Sequence, residues 1–201
     1  MEGCCATAAV IQYPKLRDTP WKWFAFYVIF IFLSELFSDQ CLAYFPLFRQ
    51  YYFAYFGIPS EFLFLFWLYG YESLKLKKLF WICAIAYLAS FIPHLLLFGQ
   101  LHIIYSINYT VGNLLLLLLV IIEFNKQIKT DAILSFKENK MFYINAGVTL
   151  FYIGTLPFFS FYGLILKQPA VWNAYYIFFL VANCIMYLLF TASFIWGKPK
   201  I

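Results

Sequence analysis

Glu35, Glu61, His94 and Asn113 are the residues of this 201-residue chain whose types and placement could do chemistry. Each lies inside a long apolar run. A charged or strongly polar side chain in hydrocarbon is expensive, so it marks a candidate site by default. With the helices placed as below, all four fall in the outer halves of their runs. Bundled helices would gather them into a small outward-facing polar pocket able to take a ligand. A plainer role stands beside this one. Glu35 and Glu61 lie within about 6 Å of their helix ends at 1.5 Å per residue, so either reaches the headgroup layer. Glu61 also suits a helix N-terminus, and buried Asn and Ser often join helices rather than bind ligands.

Catalytic patterns find little footing. His94 and His102 flank one short turn, whereas a bis-histidine haem site needs them on facing helices. No H-E-x-x-H supports a metal and no G-x-S-x-G supports acyl transfer. Every lysine lies at a helix end or in a loop, which leaves none inside a bundle to hold retinal. The five cysteines, Cys4, Cys5, Cys41, Cys83 and Cys184, make no C-x-x-C pair. Cys83 and Cys184 read as small packing residues. No catalytic residue, metal or cofactor is therefore assigned, and the expected protein is non-enzymatic.

The elements that must position these residues follow from composition. The chain is 65% hydrophobic, 24% aromatic and only 11% charged, against about 25% charged in soluble domains. So few charges could not cover a soluble fold of this size. The expectation is an all-α polytopic membrane helix bundle, a single integral membrane domain over 1–201 whose first partner is the lipid bilayer. About 20 apolar residues cross roughly 30 Å of hydrocarbon as helix. Six runs qualify, at about 21–38, 58–74, 79–98, 102–124, 141–164 and 171–196. The stretch 41–57, interrupted by Pro46 and the Arg49–Gln50 pair, reads as an aromatic segment lying at the interface. Alternatively the second helix begins near Tyr51 and is kinked by Pro59. The run 21–38 lacks a small-residue cleavage site and reads as a retained helix rather than a signal peptide.

The net charge of +5 is a signal of orientation. Lys15, Arg17 and Lys22, then Lys75, Lys77 and Lys78, then Lys126, Lys129, Lys137 and Lys140, then Lys198 and Lys200 occupy alternate connections. The remaining connections hold only Arg49 and Lys167. Cytoplasmic loops are enriched in Lys and Arg, so this split predicts an N-in, C-in topology in a cytoplasmic (inner) membrane. The aromatics sit in charge-free runs rather than in basic strands, which excludes nucleic acid. Residues 125–140 interleave lysines with Ile128, Ala132, Ile133 and Phe136. They would lie on the membrane surface or dock a membrane or cytoplasmic protein partner.

Three phrases, Phe32-Leu33-Ser34-Glu35-Leu36, Ile107-Asn108-Tyr109 and Phe151-Tyr152-Ile153-Gly154-Thr155-Leu156-Pro157-Phe158-Phe159, carry a resemblance. Over residues 14–198 the chain resembles uncharacterised multi-pass bacterial membrane proteins, some similar to membrane sensor regions of histidine kinases. That resemblance implies a seven-helix ancestral set with its N-terminus outside, whose first helix this chain would lack. It carries no catalytic residue and no ligand. The function expected is a non-enzymatic sensing or partner-binding module of a bacterial membrane. The alternatives are a small proton-coupled transporter using Glu35 or Glu61, and a membrane-embedded lipid-modifying enzyme in which Glu35, Glu61 and His94 converge.

Overall fold

The computed structural model describes residues 1–41, 44–93, 101–130 and 132–198. It is all-helical over these, with one isolated bridge between Asn139 and Lys198. In chain order the helices are α1 (Glu2–Leu16), α2 (Lys22–Cys41), α3 (Pro46–Tyr52), α4 (Ile58–Phe66), α5 (Lys77–Ala89), α6 (Leu101–Lys129), α7 (Lys140–Val148), α8 (Gly154–Ser160), α9 (Tyr162–Ile165) and α10 (Pro169–Ile195). Four stretches, Lys22–Gln40, Ile107–Lys129, Lys140–Ser160 and Pro169–Ile195, are helical, long and apolar enough to cross a membrane.

Prolines explain where the helices depart from regular winding. A proline inside a helix removes one N–H and clashes with the preceding turn. Pro14 lies inside α1 without a π turn, but at Pro59 and Pro157 a π turn precedes the ring. Phe53–Gly57 winds as π helix just before Pro59, with the Ile58 N–H reaching back to the Phe53 carbonyl. Thr149–Ile153 does the same before Pro157. The wider turn accommodates the mismatch, so α3 continues through Phe53–Gly57 into α4 and α7 continues into α8. Residues 46–73 thus form one helical run, and 46–57 of the stretch expected to lie at the interface are its first part. A third π stretch, Trp67–Ser73, ends that run. Its stop is a left-handed residue, Lys75 at φ 59°. Leu76 N–H then bonds to the Gly70 carbonyl at 2.8 Å, which satisfies an otherwise orphaned helix-end group.

Helix α1 precedes all six expected runs. It packs along α2 and α10, burying Cys5, Ala6, Ala9 and Leu16. Its small residues allow that close approach. A Cβ added at Gly3 would meet the Phe32 ring at 3.2 Å. The amino terminus therefore lies part-way along α2, away from Lys15, Arg17 and Lys22. At the other boundaries, α6 runs on to Lys129, so the connection 125–140 begins as helix. It then tightens into the 3₁₀ stretch Ala132–Glu138, kinked at Ser135. The connection is therefore not one continuous helix, since Ser135 leaves helical geometry at φ −106°, ψ 35°.

The core is built largely from rings. Phe62 is fully buried and meets Phe66, Tyr87, Tyr109 and Tyr152, with centroids 5.2–6.0 Å apart. Gly112 on α6 admits it: a Cβ there would stand 2.9 Å from three atoms of that ring. Phe24 likewise packs on Phe64, Phe190 and Phe194, and Tyr27 stacks on Phe64 at 4.0 Å. Aromatic pairs at such distances add about 0.5–1.5 kcal/mol beyond burial. Leu33, Ile82, Ile85, Leu118, Ile177 and Leu188 point outward, an arrangement suited to lipid rather than water. Cys83 is buried as a packing residue should be, whereas Cys184 faces outward and packs nothing of the core.

Candidate functional site

Two polar regions stand out against this aromatic interior. The first contains Glu35 and Glu61, two of the residues singled out from sequence. Because Pro46–Ser73 is one run, Glu61 is mid-helix rather than in an opening turn, roughly 18 Å from Ser73 and roughly 22 Å from Pro46. The Tyr152 hydroxyl donates to its Oε2 at 3.0 Å. Glu35 and Glu2 both lie within electrostatic range of it. Glu35 also feels Asp39 and Arg49. Arg49 closes the region by donating to Asp39 Oδ1 at 2.6 Å and to Ser38 Oγ at 2.9 Å. Asn113 is reached through rings rather than directly. Tyr152 lies 6.4 Å from Tyr109, whose backbone carbonyl accepts from Asn113 Nδ2 at 3.0 Å. His94 lies outside the described residues. The fold thus brings Glu35 and Glu61 into one neighbourhood, adds Glu2 through α1, and leaves Asn113 behind two tyrosines.

Most polar side chains near this region join helices. Tyr109 and Thr155 share a hydrogen bond at 3.2 Å, Thr110 and Ser160 at 2.7 Å, and Ser34 and Tyr52 at 2.6 Å. Ser90 donates to Asn108 Oδ1 at 3.2 Å. Each satisfies a group that could not find water in hydrocarbon.

The second region is a cavity of about 530 Å³ at the opposite end, where the lysine-bearing connections meet. That volume lies in the range of small-molecule sites, roughly 300–1,000 Å³. The turn before α2 supplies Thr19, Pro20 and Trp21; the end of the Pro46–Ser73 run supplies Glu72 and Ser73, followed by Lys75. The last turns of α6 supply Glu123, Lys126 and Gln127, Thr130 follows them, and the start of α7 supplies Lys140. Lys198, from the tail, completes the wall.

Buried polar groups order this cavity. Glu123, 1% exposed, accepts from Ser73 Oγ at 2.8 Å and from Gln127 Nε2 at 3.1 Å, with Lys126 Nζ at 3.9 Å. Lys126 also donates to the Ser73 carbonyl at 2.6 Å, tying α6 to the helix before α5. Asn139 caps α7, its Oδ1 accepting from the Met141 N–H at 3.0 Å and more weakly from Phe142. Lys140, only 3% exposed, donates to the Ser193 carbonyl at 2.9 Å. The tail lies over it, with Lys198 N–H bonded to the Glu138 carbonyl at 2.8 Å and Lys198 Nζ paired with Glu138 at 2.5 Å.

Glu123, Gln127 and Lys140 were not singled out from sequence as a group. Two signals pointed toward them: Glu123 and Gln127 are four apart on one helix face, and Asn139 is a capping residue. The closure of α6 on the tail and on Ser73 is tertiary and has no local signature. Among the described residues no three His, Cys, Asp or Glu side chains group as a metal site would. Searches against protein-family models, curated proteins and solved structures gave no match to the chain.

Proposed function

We propose that this is a non-enzymatic, multi-pass sensing module of a bacterial inner membrane, with its ligand pocket at the lysine-rich end. The observation that carries the reading is the cavity of about 530 Å³ bounded by the turn before α2, the end of the Pro46–Ser73 run, α6, α7 and the tail. A ligand there would touch every connection on one side of the bundle at once. Occupancy would be felt by all of them, as a sensor requires. The six crossings expected at about 21–38, 58–74, 79–98, 102–124, 141–164 and 171–196 would bring those connections to one face, and the lysine bias would make that face cytoplasmic. The grouping of Lys75, Lys126, Lys140 and Lys198 around one cavity supports this even count. Arg49, paired with Asp39, belongs to the opposite face. The resemblance to membrane sensor regions of histidine kinases agrees with this role, and the 125–140 connection is the segment through which a cytoplasmic partner would read it.

The test uses the full chain in lipid nanodiscs. Pooled water-soluble metabolites are screened for a rise in the unfolding midpoint, alongside a Thr130→Trp variant that fills the cavity mouth. The expected result is at least one stabilising pool for the wild type and none for the variant. No stabilising pool, or equal stabilisation of both, sinks the reading. Uptake of the active compound into liposomes containing the protein would instead establish the transporter.

A further inference from the structure

Charge in the cavity does not balance. Of the four lysines lining it, Lys75 faces Glu72 at 3.3 Å, Lys126 faces Glu123 at 3.9 Å and Lys198 faces Glu138 at 2.5 Å. Lys140 has no carboxylate within 4.0 Å among the described residues. Its ammonium has a backbone carbonyl, Ser193 O, and the Phe194 ring at 5.8 Å for company. It also begins α7, where the helix dipole disfavours a cation. A buried charge is normally paired, because desolvation is otherwise uncompensated. Among the described residues no carboxylate supplies its counter-charge.

Gln127 is a second buried polar residue of the lining. Gln127 is 2% exposed and its Nε2 is committed to Glu123, which fixes the amide orientation. Its Oε1 then has no hydrogen-bond partner. A buried unpaired acceptor costs about 1–3 kcal/mol, so this atom wants a donor. Both residues line the same space.

We infer that the cavity binds a hydroxyl-bearing phosphate ester, a phosphorylated polyol, with its anionic group at Lys140 and a hydroxyl donating to Gln127 Oε1. This rests on the cavity being a ligand site, as proposed above. One unpaired cation calls for one anionic group. One unpaired acceptor calls for a hydroxyl on the same molecule. Lysine serves well as a point-charge partner for phosphate. The paired lysines at the wall add long-range attraction for an anion without demanding a second charge. The same chemistry is offered by a soluble sugar or glycerol phosphate and by the headgroup of phosphatidylglycerol, which would enter from the membrane.

The full chain in phosphatidylcholine nanodiscs distinguishes these sources. sn-Glycerol 3-phosphate is added in solution, or phosphatidylglycerol is built into the disc, and the unfolding midpoint is followed. A soluble ligand raises the midpoint by about 2–4 °C in the first arm, and a lipid ligand does so in the second. Glycerol alone and inorganic phosphate alone give much smaller shifts, because each supplies one half of the recognition. Lys140→Met weakens the response at least about tenfold, while Lys140→Arg retains most of it. Gln127→Met gives a second loss of about tenfold that leaves Glu123 paired with Ser73 and Lys126. The inference is overturned by no shift in either arm, by glycerol or phosphate matching the ester, or by Lys140→Met responding as the wild type does. A metabolite pool that still stabilises Lys140→Met would reject the anion while leaving the cavity a ligand site.

Discussion

Single side chains decide most at positions where a ring, an amide or a charge has one partner. Tyr69 donates to Asn145 Oδ1 at 2.8 Å across buried helices. Tyr69→Phe leaves that oxygen unpaired and should lower stability by about 1–2 kcal/mol, read as a lower denaturation midpoint in detergent. Gly112→Ala should be worse, by about 1–3 kcal/mol, because the Phe62 ring cannot withdraw from a site closed by Tyr87 and Tyr152. Pairing Gly112→Ala with Phe62→Leu should recover part of the loss, and an additive result would reject the steric explanation. At this scale the sequence was informative in kind and less so in place. Glu61 was recognisable as an unusual acid, but Pro59 beside it imitated the first turn of a helix. Only the π turn before the proline shows that Glu61 sits mid-run. Glu2 had no signature at all, since its neighbours Glu35 and Glu61 come from elements far along the chain.

Among the elements, the long apolar runs were legible because lipid and length select them together, and α2 and α10 fall within three residues of expectation. Stretches where lipid does not choose were harder. Residues 41–57 contain proline, arginine and many aromatics, a mixture that suits an interface or a helix equally. From Pro46 onward it is helix, with Phe56 packed on Phe30 and Tyr52 on Phe37. The capped start of α7 gives a direct check: Asn139→Ala should cost about 1 kcal/mol, and Asn139→Asp should recover most of it. Hydrogen exchange at Met141 and Phe142 would report the loss locally. Lys75→Gly should relieve the left-handed strain and raise stability by up to about 1 kcal/mol. A fall instead would mean that the pair with Glu72 at 3.3 Å outweighs the backbone.

For the molecule as a whole, charge distribution in the sequence proved the most telling property, since the connections it grouped are those lining one cavity. What it could not convey is how the amino-terminal helix folds back, because α1 is held by Cys5, Ala6 and Ala9 against partners on α2 and α10. Orientation is open to a simple experiment. A cysteine introduced at Thr130 should react with an impermeant maleimide only after the membrane is opened, and one at Gln168 should react from outside. The reverse pattern would reject a cytoplasmic cavity. The aromatic content also gains a meaning at this scale. Rings such as Phe24 and Phe62 interlock four or five neighbours each, so much of it is structural rather than a headgroup belt.

The carboxyl-terminal clasp has a mechanical consequence. Gly197 rests directly against Lys140, with no room for a Cβ between them, and Lys198 is fastened to Glu138 by both its backbone and its side chain. Tension applied to the tail is therefore delivered to Lys140 without passing through the bundle. Anything grafted after residue 198 becomes a handle on the cavity floor, and a purification tag there is a perturbation to be controlled by moving it to the other terminus.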